Sequence, residues 1–122
     1  DAERWLTRLK SEGLMPSSWE DLAQEGFAEP ERLEALAELL EDQGEVVRVE
    51  GTMIFAHDVV DDLRNPVVRQ LKAEGMDIPA LRDRFGTTRK FLMPLLEFLD
   101  ERGVTARRGG NRILRDAAAS LV

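Results

Sequence analysis

FLMPLLEFLDERGVTARRGGNRIL, residues 91–114, changes its period halfway along. Up to Gly103 the apolar residues Phe91, Leu92, Leu95, Leu96 and Leu99 recur at helical spacing, which predicts one amphipathic helix. After Gly103 the chain becomes β-compatible. Val104-Thr105-Ala106-Arg107-Arg108 and Asn111-Arg112-Ile113-Leu114 flank Gly109-Gly110, a signal for a hairpin with a tight glycine turn. A helix ended by glycine and followed at once by a hairpin is the unit from which the rest of the chain is read.

The same unit occurs earlier. Leu40, Gly44, Arg48, Gly51 and Ile54 lie 59 positions before Leu99, Gly103, Arg107, Gly110 and Ile113, and Leu22 lies 59 before Leu81. Leu9-Lys10-Ser11-Glu12-Gly13 matches Leu71-Lys72-Ala73-Glu74-Gly75, so a small insertion or deletion follows Gly13/Gly75. A repeat of this period points to two copies of one supersecondary unit. In each copy a first helix stops at Gly13 or Gly75, with glycine as its C-cap. A short second helix starts near Ser17-Ser18 or at Pro79, both favoured helix starts. The third helix of the first copy carries Leu33, Leu36, Leu39 and Leu40, and its hairpin turns at Glu50-Gly51.

Helix, helix, helix, hairpin is the order of a winged helix, the hairpin being the wing. The expected fold is therefore mainly α with small β-hairpins: two tandem winged-helix domains, residues 1–60 and 61–122, each with its own small core. Asn65-Pro66 reads as a breaker between them, with a short helix over residues 58–64 leading into the second. The Ala-rich tail after Asp116 reads as frayed. Pro94 should kink or loosen the third helix of the second copy.

Several function classes drop out on composition. There is no Cys, and the lone His57 cannot build a zinc site, so no metal or other cofactor is expected. No apolar run is long enough to span a bilayer and no signal peptide opens the chain, which fits a cytoplasmic protein without a membrane partner. The first residue is Asp1 rather than Met, which reads as a piece of something longer. No phosphate loop, nucleophile elbow or other catalytic constellation is present, so no catalytic residue is assigned and an enzyme is not expected.

The net charge of −7 argues at first against a nucleic acid, but the average conceals an uneven distribution. Residues 1–57 hold 14 acidic and 5 basic side chains, whereas residues 79–115 hold 9 Arg/Lys against 4 Asp/Glu. Aligning the copies sharpens the contrast. Where the first has Glu29-Pro30-Glu31-Arg32 at the start of its third helix, the second has Thr88-Arg89-Lys90-Phe91. At the wing tip the first has Glu50, Thr52 and Met53, and the second has Gly109, Asn111 and Arg112. In a winged helix these two places lie side by side, so Arg89, Lys90, Arg107, Arg108 and Arg112 can cluster on one surface. Such a cluster binds phosphates by releasing counterions. Thr87 or Thr88 would cap the helix, whose first N–H groups form a mild anion site, and Gly109 and Gly110 let backbone approach backbone. Arg82 and Arg84 read as solvated residues, Trp5 and Trp19 as packing, and His57 as a surface or linker residue.

Phe85-Gly86-Thr87-Thr88-Arg89-Lys90, then Pro94-Leu95-Leu96-Glu97-Phe98-Leu99-Asp100, then Gly103-Val104-Thr105 with Arg107-Arg108 and Arg112, resembles the last winged helix of bacterial selenocysteine-specific elongation factors. The resemblance covers about a quarter of the chain. It implies binding to an mRNA stem-loop, the selenocysteine insertion hairpin downstream of a UGA codon, and access to the ribosome through the full-length factor. It implies that Arg89 and Lys90 contact the hairpin from the helix start, and Arg107, Arg108 and Arg112 from the wing. No GTPase motif is present in these residues. Two rival readings are a DNA-binding winged-helix regulator and a protein-interaction spacer. The first normally needs a dimer, and nothing here supplies a long dimerisation helix, so a monomer is expected. The second has no need of a basic helix start beside a basic wing, although the acidic first copy fits a spacer well.

Overall fold

The computed structural model describes residues 1–122. Ten elements follow in order: α1 (Ala2–Glu12), α2 (Trp19–Gln24), α3 (Pro30–Asp42), β1 (Val46–Val49), β2 (Met53–Ala56), α4 (His57–Lys72), α5 (Ile78–Phe85), α6 (Arg89–Glu101), β3 (Thr105–Arg108) and β4 (Asn111–Leu114). The molecule is thus mainly helical with two antiparallel hairpins, and the helix–helix–helix–hairpin order of a winged helix occurs twice. Local chemistry sets the helix starts. The Ser18 side chain accepts from the backbone N–H of Asp21 at the head of α2, and Asp77 does the same for Ala80 at the head of α5. At the end of α5, Gly86 adopts a left-handed conformation that glycine tolerates best.

The two wings differ by one residue. Val49 pairs with Met53, leaving a three-residue loop, Glu50-Gly51-Thr52, whereas Arg108 pairs with Asn111 across Gly109-Gly110 alone. The offset of 59 therefore holds through β1 and β3 and drops by one in the second wing strands. Ile54 faces Arg48, and the residue facing Arg107 is Arg112, not Ile113. A one-residue step exchanges the faces of a strand, and here it puts an arginine where the first unit buries an isoleucine.

The linker differs from expectation. No break occurs at Asn65-Pro66, and α4 runs through both as one helix. Pro66 cannot donate to the carbonyl of Asp62, but Val60, Leu63 and Val67 are fully buried on one face of the helix, and that packing carries it across the lost bond. Strand β2 passes into α4 without a loop: the N–H of His57 donates to the carbonyl of Glu45 (2.9 Å), extending the hairpin ladder into the first helical residue. α6 likewise remains a single helix with Pro94 inside it.

The cores are not separate either. Ten buried residues, among them Trp5, Leu22, Leu33 and Ile54, close within the first unit. A larger cluster of 16 joins Leu14, Val47, Val49 and Phe55 of the first unit to Val67, Leu81, Leu92, Leu95 and Leu99 of the second. The inward face of the first wing serves its own core, and its outward face packs on the second unit, where Phe55 meets Phe91 edge to face with ring centroids 6.4 Å apart. The Ala-rich tail is held, not frayed. Arg64 Nη1 donates to the carbonyls of Ala117 (2.9 Å) and Ala119 (2.6 Å), and Leu121, 3% exposed, enters the shared cluster.

Candidate nucleic-acid interface

The first turn of α6, the inner face of the second wing and the α4–α5 junction enclose a cleft of about 650 Å³. Arg89 and Met93 line it from α6, and Arg107, Gly110, Asn111, Arg112 and Ile113 from the wing; Met76, Ile78 and Glu74 close the far side. Helical spacing explains the first pair, since residues four apart share a face. Strand alternation explains Arg107 and Arg112 of the second group: they are cross-strand partners and share the wing face on which Arg112 meets Asp100 of α6.

The two arginines play different parts. Arg112 has a side chain only 7% exposed. Its Nε donates to Asp100 at 3.1 and 3.3 Å, while Asp100 Oδ1 also accepts the Thr105 hydroxyl at 2.5 Å. One Arg112 nitrogen, Nη2, is buried without a partner. Arg112 therefore belongs to the floor of the cleft, and the expectation of an exposed wing-tip contact is corrected. Burial at the position of Ile54 required a carboxylate beside the charge, because an unpaired buried guanidinium would be costly. Arg89 and Arg107 are exposed and make no ion pair.

The remaining residues expected at the site disperse. Thr87 is buried, and its hydroxyl donates to the carbonyl oxygen of Leu14 at 2.7 Å. It is thus committed to a contact between the units and has no donor left for a ligand, which corrects its placement among the contacts. Thr88 is the N-cap of α6, but its side chain makes no capping bond, so the first N–H groups of the helix stay open. Lys90, one residue round the helix from Arg89, lines a second cleft with Ser17, Ser18, Asp21, Thr52 and Met53 of the first unit, its Nζ 5.3 Å from the Phe91 ring centroid. Arg108 points to the opposite wing face from Arg107, and Gly109 sits at the exposed tip with φ 62°. Five of the ten expected residues thus meet in one cleft: Arg89, Arg107, Gly110, Asn111 and Arg112.

Two participants had escaped the sequence reading. Asp100 is the carboxylate that holds Arg112, and Met93 lies one helical turn from Arg89; the i, i+4 spacing was the available signal for Met93. The first unit has no equivalent open site. There Arg48, the counterpart of Arg107, is gripped by Glu34 through two bonds of 2.7 Å. Its guanidinium also lies 5.6 Å from the Trp19 ring centroid. Hydrogen bonding to Glu34 raises the Arg48 pKa further and, reciprocally, lowers that of Glu34, both against a smaller opposing effect of burial. No three His, Cys, Asp or Glu side chains are grouped so as to hold a metal ion, and no helix is long and apolar enough to cross a membrane.

Residues 69–114 match the family model described as the winged helix of elongation factor SelB. Over 99 residues, 80% of the chain, it is 31% identical to the selenocysteine-specific elongation factor of Escherichia coli K12. Over 104 residues, 84% of the chain, it is 28% identical to that of Desulfomicrobium baculatum. The chain spans only 16% of the length of either relative. Among solved structures, the mRNA-binding domain of E. coli SelB in complex with SECIS RNA superimposes with a TM-score of 0.73 at 24% identity, covering 94% of this chain and 97% of that one. A bacterial selenocysteine-specific elongation factor, EF-Sec, superimposes with a TM-score of 0.67 at 21% identity, covering 93% of this chain and 18% of that one.

Proposed function

We propose, from the premise that residues 69–114 are a winged helix of the SelB family, that this chain binds an mRNA hairpin of the selenocysteine-insertion type and so tethers a longer elongation factor to a message at UGA. The observation that carries the reading is the pair Arg89 and Arg107: two exposed, unpaired guanidinium groups on one cleft beside the open first turn of a helix. The curated relatives are selenocysteine-specific elongation factors, and the structural neighbour was solved with SECIS RNA; both support this reading.

The physics favours a hairpin over a duplex. An A-form stem hides its base edges in a deep, narrow major groove, so a small reader takes phosphates on the stem and unstacked bases in the loop. Arg89 is the residue we assign to a loop base. Its planar fork can take two acceptors on one base edge, which a lysine cannot do. Arg107 with the Gly110 and Asn111 backbone is assigned to phosphate. We further propose that the two winged helices act as tandem domains of a monomer. The first, acidic one serves as a spacer, and the ribosome is met through the rest of the factor. A gel shift with a short RNA hairpin and a DNA duplex of matched length tests the reading. Binding of the hairpin in preference to the duplex is expected; equal or better binding of the duplex would favour a DNA regulator.

A further inference from the structure

The chain contains its own control for the cleft, because both units place an arginine at the same point of the first wing strand. In the first unit all three guanidinium nitrogens of Arg48 are engaged: Nη1 and Nη2 are forked by Glu34, and Nε donates to the carbonyl of Gly51. Glu34 is the fifth residue of α3, and the fifth residue of α6 is Met93. Met93 and Arg107 line the same cleft. A thioether is a weak acceptor that offers an arginine neither charge nor a fork.

The other carboxylates nearby do not take over. Asp100, at the place of Glu41, is occupied by Arg112 and Thr105. Glu97, at the place of Glu38, lines a separate crevice with Arg48, Glu50 and Glu101. Glu74, at the far side of the cleft, makes no ion pair. Arg107 is left free by one side chain.

We propose that Met93 is a specificity-determining residue that sets the state of the wing arginine: a carboxylate at this helix position closes that arginine into an internal fork, and an apolar residue leaves it open to an RNA phosphate. The inference rests on the RNA reading given above. In the first unit Glu34 therefore masks Arg48, and with Pro30 at the place of Arg89 the unit presents no open cationic pair although it carries the same wing arginine.

The test uses the full 122-residue chain. Met93→Glu should weaken hairpin binding about tenfold or more, the cost of one charge-assisted contact, and should approach the affinity of Arg107→Ala. Met93→Gln, similar in shape but uncharged, should cost less than about threefold, within the range of an ordinary surface change. Separately, and without RNA, a double-mutant cycle in urea between Met93→Glu and Arg107→Ala should show favourable coupling, the signature of a new fork. Unchanged affinity in Met93→Glu, an equal loss in Met93→Gln, or no coupling in the cycle would each overturn the proposal. Failure of the unsubstituted chain to bind the hairpin would instead count against the RNA reading, while the urea cycle would still decide whether position 93 controls Arg107.

Discussion

The Thr87 hydroxyl donates to the carbonyl oxygen of Leu14, 2.7 Å away and 73 residues earlier in the chain. It ties the loop after α1 to the residue immediately before the N-cap of α6, the helix that carries Arg89. Thr87→Val keeps the side-chain volume and leaves the Leu14 carbonyl without its partner. The expected cost is about 1–2 kcal/mol of stability, as for a buried acceptor left unsatisfied. Urea unfolding measures it, and Thr87→Ser should recover most of the loss. A Val variant as stable as the original would mean that the shared apolar cluster alone holds the units together.

Arg112 and Asp100 should behave as a pair. Arg112→Ala strands a carboxylate that is itself only 17% exposed, and about 1–3 kcal/mol of stability should go with it. Arg112→Met combined with Asp100→Leu removes both charges and should restore part of that, the buried Thr105 hydroxyl losing its acceptor in the exchange. Thermal melts of Arg112→Met, Asp100→Leu and the double decide the matter. A double variant as weak as the sum of its parts would show that the two residues act independently.

The Glu34–Arg48 fork makes part of the stability pH-dependent. Hydrogen bonding to Arg48 holds the Glu34 carboxyl below the usual carboxylate range. A depressed folded-state value stabilises the native chain above the unfolded value, and the contribution is lost as pH falls through the folded one. Between about pH 5 and about pH 3 the original chain should therefore lose more stability than Glu34→Gln does. Urea titrations of both chains across that window would show parallel curves if the fork were irrelevant.

How much of this was legible in the sequence depends on the range of the interaction. Helix ends marked by Gly13, Gly44, Gly75 and Gly103, the period change after Gly103 and the doubled order of elements are local signals, and all were readable. The extra residue in the first wing loop was not, because Glu50-Gly51 resembles a two-residue turn until Val49 is seen to face Met53. The separation of Arg107 from Arg108 was readable in principle, since Gly109-Gly110 fixes the register and alternation does the rest. Nothing local marks Thr87 for Leu14, Arg64 for the tail carbonyls or Phe55 for Phe91. Those contacts join residues far apart in sequence, as does the packing of Val60, Leu63 and Val67 in the shared cluster that carries α4 through Pro66 as one helix.

On the RNA side, specificity should lie in the loop of the hairpin. Swapping stem base pairs with pairing retained should cost little, and each change of a recognised loop base about 1–3 kcal/mol. Arg89→Lys keeps the charge and loses the fork, so it should lose much of that discrimination while binding remains salt-dependent. Competition titrations with the variant hairpins measure both. Damaging stem swaps with harmless loop changes would reverse the assignment of Arg89.

The most direct test of the central claim is to follow the backbone amide signals of the isotope-labelled chain while the hairpin is added. The largest shifts should fall on Arg89, Arg107, Gly110 and Asn111, around the cleft beneath the second wing, with α3 and the first wing left unperturbed. Shifts concentrated instead on the first unit, or on the outer wing face that carries Arg108, would contradict it.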